Sequence, residues 1–228
     1  MLVSRSYVLL SVLAVVFGAP RRSTRSTVPT WHLPCGEIIE TEPSVFENLN
    51  EEVETSLQSL KLQHELTMND YLNRDYDFLY ERVRIGVENH HYIPNWVPDE
   101  KDVHIINDLV NATPQEVSLS LIAERLPKMH MDLQKFAVAF EELVDDETNS
   151  KIHNALKGTQ SYLMMLLCEV ESHIVNLPFL RVPSRVHRSI MKISEREPVD
   201  DTRRLVRDWG VVRKYRDYLH IWRRVFDY

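Results

Sequence analysis

Apolar residues recur at helical spacing in four long stretches of the chain, and the first lies just after Pro43. Its members are three or four positions apart, the period of one face of an α-helix: Val45, Leu49, Val53, Leu57 and Leu60. Ser44 can cap the first turn, and Glu47, three residues later, completes a capping box. The pattern predicts a helix, A, from Ser44 to about Asn73. The same period continues to Val87, which indicates either a longer helix A or a second short helix.

The second stretch has a clear start signal. Thr113 can serve as N-cap, Pro114 suits the first helical position, and Glu116 can complete the capping box. The apolar stripe of this predicted helix B contains Val117, Leu121, Ile122, Leu126, Met129, Leu133, Phe136, Phe140 and Leu143. Pro127 lies inside the stripe, and a proline interrupts the hydrogen bonding of a helix interior. We therefore expect helix B to be kinked or divided there.

Two further helices follow a short turn at Asp145–Asn149. The apolar face of predicted helix C consists of Ile152, Leu156, Thr159, Leu163, Leu166, Val170, Ile174 and Leu177. Pro178 ends helix C. Helix D is predicted to begin near Asp200 and Asp201, because acidic side chains favour a helix N-terminus, and to run to about Phe226. Its face consists of Leu205, Trp209, Val212, Tyr215, Leu219, Trp222 and Phe226.

The lengths of the connections constrain how these four helices are arranged. The B–C turn of about five residues cannot span a helix of about 45 Å, so B and C must be antiparallel. The A–B and C–D connections, roughly 40 and 23 residues, can run the full length of a bundle at about 3.3 Å per residue. Long crossovers join parallel neighbours in an up-up-down-down arrangement. We expect residues 44–228 to form an all-α, long-chain four-helix bundle with two long crossover connections.

Charge favours the same arrangement. The segment from Glu37 to Glu54 contains seven glutamates and no basic residue. The later half of helix D is basic through Arg213, Lys214, Arg216, Arg223 and Arg224. In an up-up-down-down bundle, A and D are antiparallel neighbours, which places the acidic and the basic segments side by side. Arg216 and Arg223 are the better candidates for pairing with helix A.

The N-terminal 43 residues are expected to lie outside this bundle. Arg5 precedes an apolar run, Tyr7–Phe17, which is too short to span a bilayer and has the form of a signal peptide. We expect residues 1–18 to be removed after Gly18; the alternative is an uncleaved anchor. Residues 19–43 contain four prolines and are predicted to form an extended N-terminal arm. The mature chain would be secreted and extracellular, with no membrane insertion after signal-peptide removal.

Secretion would expose the two cysteines to an oxidising environment. In an oxidising compartment an even count favours a disulfide, here between Cys35 and Cys168, with two free thiols as the alternative. Cys35 would then tie the arm to helix C. Asn111 begins a glycosylation sequon, although Pro114 directly follows that sequon and leaves its use open.

Composition argues against several functional classes. The chain has only five glycines, whereas many enzyme scaffolds use glycine in tight turns and phosphate-binding loops. No nucleophile-elbow motif occurs, and the ten histidines show no metal-ligand spacing. The formal charge of -7 disfavours a general nucleic-acid binder. We therefore expect no enzymatic activity, no cofactor, no metal and no nucleic-acid partner.

A helical projection identifies candidate residues for binding a partner protein. With Leu205, Val212, Tyr215 and Leu219 facing the core, the outward positions of helix D are Arg203, Arg207, Arg213, Lys214, Asp217, Ile221 and Arg224. Arginine and apolar anchors are enriched in protein interfaces. Leu62 is an apolar residue on the otherwise polar outer strip of helix A. These residues are predicted to bind a receptor; the alternative for helix D is a solvated face paired with helix A.

The architecture and the signal peptide together resemble long-chain four-helix cytokines of the ciliary neurotrophic factor and leukaemia inhibitory factor type. The sequence LKGTQSYLMMLLCEVESHIVNLP resembles the third helix of that family, and RDWGVVRKYRDYLHIWRRVF is similar to its fourth. Unpaired-type ligands of arthropods belong to the same broad class. The resemblance is one of pattern over residues 44–228. Several members carry a phenylalanine and a lysine near the start of helix D, a pair that Arg203–Arg207 lacks, so receptor identity is not transferred.

The resemblance implies a secreted helical cytokine or growth-factor-like ligand. Such a ligand binds and clusters a cell-surface receptor and activates JAK/STAT signalling. The alternative is a secreted helical carrier that holds an apolar ligand between its helices. A large internal cavity would favour the carrier, and a filled core would favour the cytokine.

Overall fold

The computed structural model describes residues 26–37, 49–84, 93–99, 102 and 119–227. The regular secondary structure of these residues is entirely helical, with no strand. The α-helices of the described part are α1 (Leu49–Leu72), α2 (Tyr76–Leu79), α3 (Glu81–Arg84), α4 (Leu119–Ala123), α5 (Leu126–Asp146), α6 (Ser150–Asn176), α7 (Ile193–Arg196) and α8 (Asp201–Phe226). Short 3-10 turns lie at Thr30–His32 and Arg188–Ile190. None of these helices is both long and apolar enough to cross a membrane.

The four long helices α1, α5, α6 and α8 lie in the stretches predicted for helices A to D, and three of their starts have clear chemical causes. The predicted capping boxes at Ser44 with Glu47 and at Thr113 with Glu116 lie outside the described residues. Predicted helix B is divided into α4 and α5 directly before Pro127. Proline has no backbone N–H to donate within a helix, so it is tolerated in the first turn of α5 but not in a helix interior. The Asn149 side chain caps α6 by accepting hydrogen bonds from the amides of Lys151 and Ile152. Asp200 Oδ1 caps α8 by accepting from the Arg203 amide at 2.8 Å.

Helix α1 packs against α6 on one side and α8 on the other. Ser59 hydrogen-bonds Glu169, and Thr67 donates to the Tyr162 carbonyl at 3.5 Å, so residue numbers rise along α1 while they fall along α6. The contacts with α8 run in the same sense: His64 with Phe226, then Tyr71 with Tyr215. Helix α1 is therefore antiparallel to both neighbours.

Helix α5 packs between the same two helices on the opposite side of the core. Its contacts with α6 include His130 with Glu171 and, further along, Val144 with His153. With α8 its contacts run from Asp132 with Tyr218 to Asp146 with Arg207. Helix α5 is therefore also antiparallel to both α6 and α8.

Aromatic rings fill the centre of the core. The ring centroid of Tyr215 lies 5.0 Å from that of Phe136 and 5.3 Å from that of Phe140. Tyr71 adds a further ring from α1, and its hydroxyl donates to the Val212 carbonyl at 2.9 Å. Tyr218 lies 5.4 Å from Phe136 on the α5 side. The rings of this cluster come from α1, α5 and α8, and the leucines of α6 belong to the same buried core.

Arginine side chains hold the connection between α6 and α8 against the helices. Arg185 bonds the Glu171 carboxylate, Arg188 bonds Glu141 at 2.6 and 2.7 Å, and Arg196 pairs with Glu142. All three acidic side chains, those of Glu141, Glu142 and Glu171, are largely or fully buried. The connection thus has a defined path although it contains only two short helical turns.

The N-terminal arm is held at more points than Cys35 alone. Trp31 has no exposed surface, and its indole Nε1 donates to the Val186 carbonyl at 2.7 Å. Arg188 Nη1 donates to the Ser26 carbonyl at 2.8 Å, which fixes the start of the described arm. The prediction of an extended arm tied down only at Cys35 was wrong, because Trp31 fills a site formed by the distant connection. The predicted signal peptide, residues 1–18, and the arm residues 19–25 and 38–43 lie outside the described residues.

Candidate functional site

Exposed apolar side chains lie along the outer junction of α1 and α6. Leu62 and Leu66 are one turn apart on α1 and are 59% and 47% exposed, and Met165 on α6 is 50% exposed. The Ser59–Glu169 bond at 2.6 Å and the Thr67–Tyr162 bond flank them and fix the register of the two helices. Leu62, Leu66 and Met165 therefore belong to one stretch of surface, which we call the α1–α6 face.

The sequence places these leucines outside the core because they fall off the buried stripe of α1. That stripe consists of Val53, Leu57, Leu60, His64, Met68 and Tyr71. Leu62 and Leu66 are each displaced from the mean direction of this stripe by about 160° at 100° per residue. Leu62 was predicted as an exposed apolar residue, and its exposure is confirmed. Leu66 and Met165 were not identified from the sequence, although the four-residue spacing from Leu62 to Leu66 was a usable signal.

The rim of the α1–α6 face is polar. Glu169 accepts hydrogen bonds from Ser59 and contacts His173 Nε2 at 2.9 Å. On α1, Gln58 donates to Glu54 at 3.3 Å and Gln63 to Thr67 at 3.4 Å. Apolar side chains surrounded by such a polar rim are the usual anatomy of a protein-binding surface.

The residues predicted on helix D divide into exposed and buried groups. Arg213 and Arg224 are exposed, and the side chains of Arg203 and Asp217 retain 43% and 44% of their accessible surface. Lys214 is turned inward and donates to the Val97 carbonyl at 3.2 Å. Burial lowers the pKa of the Lys214 amine and the nearby carboxylate of Asp99 raises it. The effect of burial is the larger, so the pKa of Lys214 is lowered.

The outward assignment of Ile221 and Arg207 was wrong. Ile221 is 7% exposed and therefore belongs to the buried side of α8. Residues 93–99 run across the outer side of α8 at Gly210 and Lys214, which a projection of the four helices alone cannot show. Ile93 occupies the space in which a side chain at Gly210 would stand, and Lys214 bonds this segment one turn later.

Arg207 is a structural residue at the end of the core and is 2% exposed. Its Nη2 lies 2.7 Å from Asp208 and 3.1 Å from Asp146, and its Nη1 donates to the Glu195 carbonyl at 2.7 Å. Burial raises the pKa of the Asp208 carboxyl to about 6, and the adjacent guanidinium limits the rise. A guanidinium with this set of partners holds the C–D connection and is inaccessible to a receptor.

Other predicted sites have separate outcomes. The Cys35–Cys168 disulfide is confirmed and joins the arm to α6. Asn111 lies outside the described residues. Within the described ranges no three His, Cys, Asp or Glu side chains are grouped to hold a metal ion. His64 is buried, and burial followed by the charges of Arg223 and His220 lowers its pKa to about 3, so its imidazole is a neutral core group.

Comparison with protein-family models, with curated proteins and with solved structures finds no match for this chain. The function must therefore be inferred from the chain's own surfaces.

Proposed function

We propose that this chain is a secreted helical signalling ligand that binds and clusters a cell-surface receptor and thereby activates JAK/STAT signalling. The observation that carries the proposal is the α1–α6 face, on which Leu62, Leu66 and Met165 expose apolar surface from two rigid helices. A few apolar anchors inside a polar rim supply most of the affinity of a typical protein interface. The chain would act without catalysis or cofactor.

The proposed architecture is an up-up-down-down four-helix bundle of α1, α5, α6 and α8. Its support is the antiparallel packing of α1 and α5 against both α6 and α8, which makes α1 parallel to α5. Long connections join α1 to α5 and α6 to α8, as two crossovers between parallel helices require. The Cys35–Cys168 disulfide supports a secreted protein, because disulfides persist in oxidising compartments.

The carrier alternative is less well supported. An apolar ligand between the helices would need the central space where the rings of Phe136, Phe140 and Tyr215 are in contact. Protein interiors of this kind are close-packed, and a ligand could enter only after several rings had moved. The filled centre therefore favours a signalling protein that binds its receptor through its outer faces over a carrier.

A second receptor contact on α8 stays a prediction. Of the residues assigned to it, Arg203, Arg213, Asp217 and Arg224 have the exposure that binding requires. Two separate faces on one rigid helical body would allow two receptor chains to be held at a fixed spacing. This is the physical basis proposed for clustering.

The test combines a cell assay with a matched surface variant. The purified mature chain should trigger STAT phosphorylation in responsive cells, and Leu62→Glu with Leu66→Glu should weaken cell-surface binding at least tenfold, about 1.4 kcal/mol. Phe78→Glu is the control, because Phe78 is a 67% exposed apolar residue away from the α1–α6 face. Circular dichroism checks that each variant folds. If the wild-type chain neither binds cells nor triggers phosphorylation, the proposal fails.

A further inference from the structure

The solvent-facing side of the later half of α8 is basic. Its members are Arg213, Arg216, His220, Arg223 and Arg224, which we call the α8 basic strip. Steps of three and four residues place them along one side of the helix. From Arg213 to Arg224 the strip is about 16 Å long at 1.5 Å per residue. Asp217 is the one acidic residue within this span of sequence.

The positive charges of the strip act on one another. Burial lowers the pKa of His220, and the charges of Arg216, Arg223 and Arg224 lower it further. The chain as a whole carries a formal charge of -7, so the strip is opposite in sign to the net charge of the protein. A local reversal of this kind gives a specific site for an anionic partner, because the rest of the surface repels it.

The arginines of α8 have two different environments. In the first half of the helix, Arg204 and Arg207 are held by carboxylates that solvent scarcely reaches, those of Glu147 and Asp208. In the strip, Arg213 and Arg224 are exposed. Arg216 pairs with Asp217 at 3.1 Å and with Asp77 at 3.9 Å, and both acids are about half exposed. Exposed pairs of this type contribute little and can be exchanged for a stronger anion.

We propose that the α8 basic strip binds a linear sulfated polysaccharide. A guanidinium presents a planar fork of donors that matches a sulfate group with two parallel hydrogen bonds. A row of such forks over about 16 Å fits a chain of repeated anions better than it fits one isolated ion. This inference rests on the proposed function only in placing the chain outside the cell, where polysaccharides of this class occur.

The test uses heparin as the probe and the purified chain without receptor. We expect the wild-type chain to bind immobilised heparin at about 0.15 M salt, with an affinity that falls steeply as salt rises. Arg213→Gln with Arg224→Gln should weaken binding at least tenfold. The control, Lys151→Gln with Lys157→Gln, removes the same charge from exposed positions on α6 and should leave binding within about twofold of wild type.

The outcomes separate this proposal from others. Absence of heparin binding, or equal weakening by the strip and control variants, overturns it. Equal binding of heparin and fully desulfated heparin also overturns it, because the arginine forks would then not be recognising sulfate. A strip variant that loses binding to cells lacking sulfated polysaccharide, yet keeps heparin affinity, assigns the strip to an acidic receptor instead. Heparin binding by a chain that triggers no STAT phosphorylation would leave this inference standing and remove the proposed function.

Discussion

Arg188 lies over the ring of Trp31, with its guanidinium carbon 5.4 Å from the ring centroid. Trp31 comes from the N-terminal arm and Arg188 from the connection that precedes α8. The same guanidinium bonds Glu141 on α5 and the Ser26 carbonyl. One side chain thus joins three segments that are far apart in sequence, and the arm is part of the folded core.

Trp31→Ala is expected to lower the free energy of unfolding by about 3–5 kcal/mol, the usual cost of removing a large buried aromatic side chain. Trp31→Phe keeps a ring but loses the hydrogen bond to Val186, so its effect should be smaller. Urea denaturation followed by circular dichroism measures both. A loss below about 1 kcal/mol for the alanine variant would show that the arm is not packed as described.

Removal of the disulfide by Cys35→Ser with Cys168→Ser should destabilise the chain by about 2–5 kcal/mol, because the bridge closes a long loop in the unfolded state. The sequence separation of the two residues is 133. Non-reducing peptide mapping of native protein should recover the two cysteine peptides linked. Recovery of two alkylated thiols from folded wild-type protein would contradict the pairing.

Two glycines within long helices should respond in opposite ways to alanine. At Gly210 the added methyl group would meet Ile93, whose branched side chain is stiff, so Gly210→Ala should cost about 1–3 kcal/mol. At Gly158 it would meet only the end of the flexible Arg74 side chain, so Gly158→Ala should be neutral or stabilising by up to about 1 kcal/mol. Thermal unfolding compares them. If Ile93→Ala restores the stability that Gly210→Ala loses, the clash with Ile93 is the cause of that loss.

Protonation of Glu171 at acid pH should lower the free energy of unfolding. Burial alone would raise its pKa, but hydrogen bonds from Arg185 and His130 prevail and lower it to about 2 from 4.5. A lowered pKa in the folded state adds stability above pH 4.5, which is lost as the pH falls from about 4.5 towards 2. The loss should approach about 3 kcal/mol. Glu171→Gln should flatten this part of the stability profile, which denaturation at a series of pH values measures.

The charge contact between α8 and the segment after α1 should be weak but measurable. Arg216 lies 3.9 Å from Asp77, and both side chains are substantially exposed. Arg216→Glu should lower stability by less than about 1 kcal/mol, and Asp77→Lys added to it should restore part of the loss. Strict additivity of the two changes in a double-mutant cycle would argue against this contact. Among the described residues Arg216 pairs with Asp77 and Asp217, so its predicted pairing with a glutamate of helix A was wrong, whereas that of Arg223 stays a prediction.

Periodicity was sufficient to predict the long helices, whereas the caps predicted at Ser44 and Thr113 lie outside the described residues. Asn149, Pro127 and Asp200 each act through the few residues beside them, so the chain near each position contains the needed information. The disulfide was predictable because only one pair of cysteines exists.

The errors on α8 and in the arm have a different origin. The burial of Arg207 depends on Asp146 and on the Glu195 carbonyl, and that of Trp31 depends on Val186. These partners lie in other helices and connections, and no local pattern indicates which arginine will meet a carboxylate. A helical projection assumes that everything beyond the bundle is solvent. The segment 93–99 across Gly210 violates that assumption.

The distance along the chain between Cys35 and Cys168 has a consequence for synthesis. In a chain that enters an oxidising compartment N-terminus first, 133 positions separate the arrival of the two thiols. At about 5–20 residues per second this interval is on the order of ten seconds. Trp31 also lacks its binding site until Val186 and Arg188 have emerged, so the arm is uncovered for the same period. Correct pairing therefore depends on keeping Cys35 reduced, or only reversibly bonded, until α6 is complete.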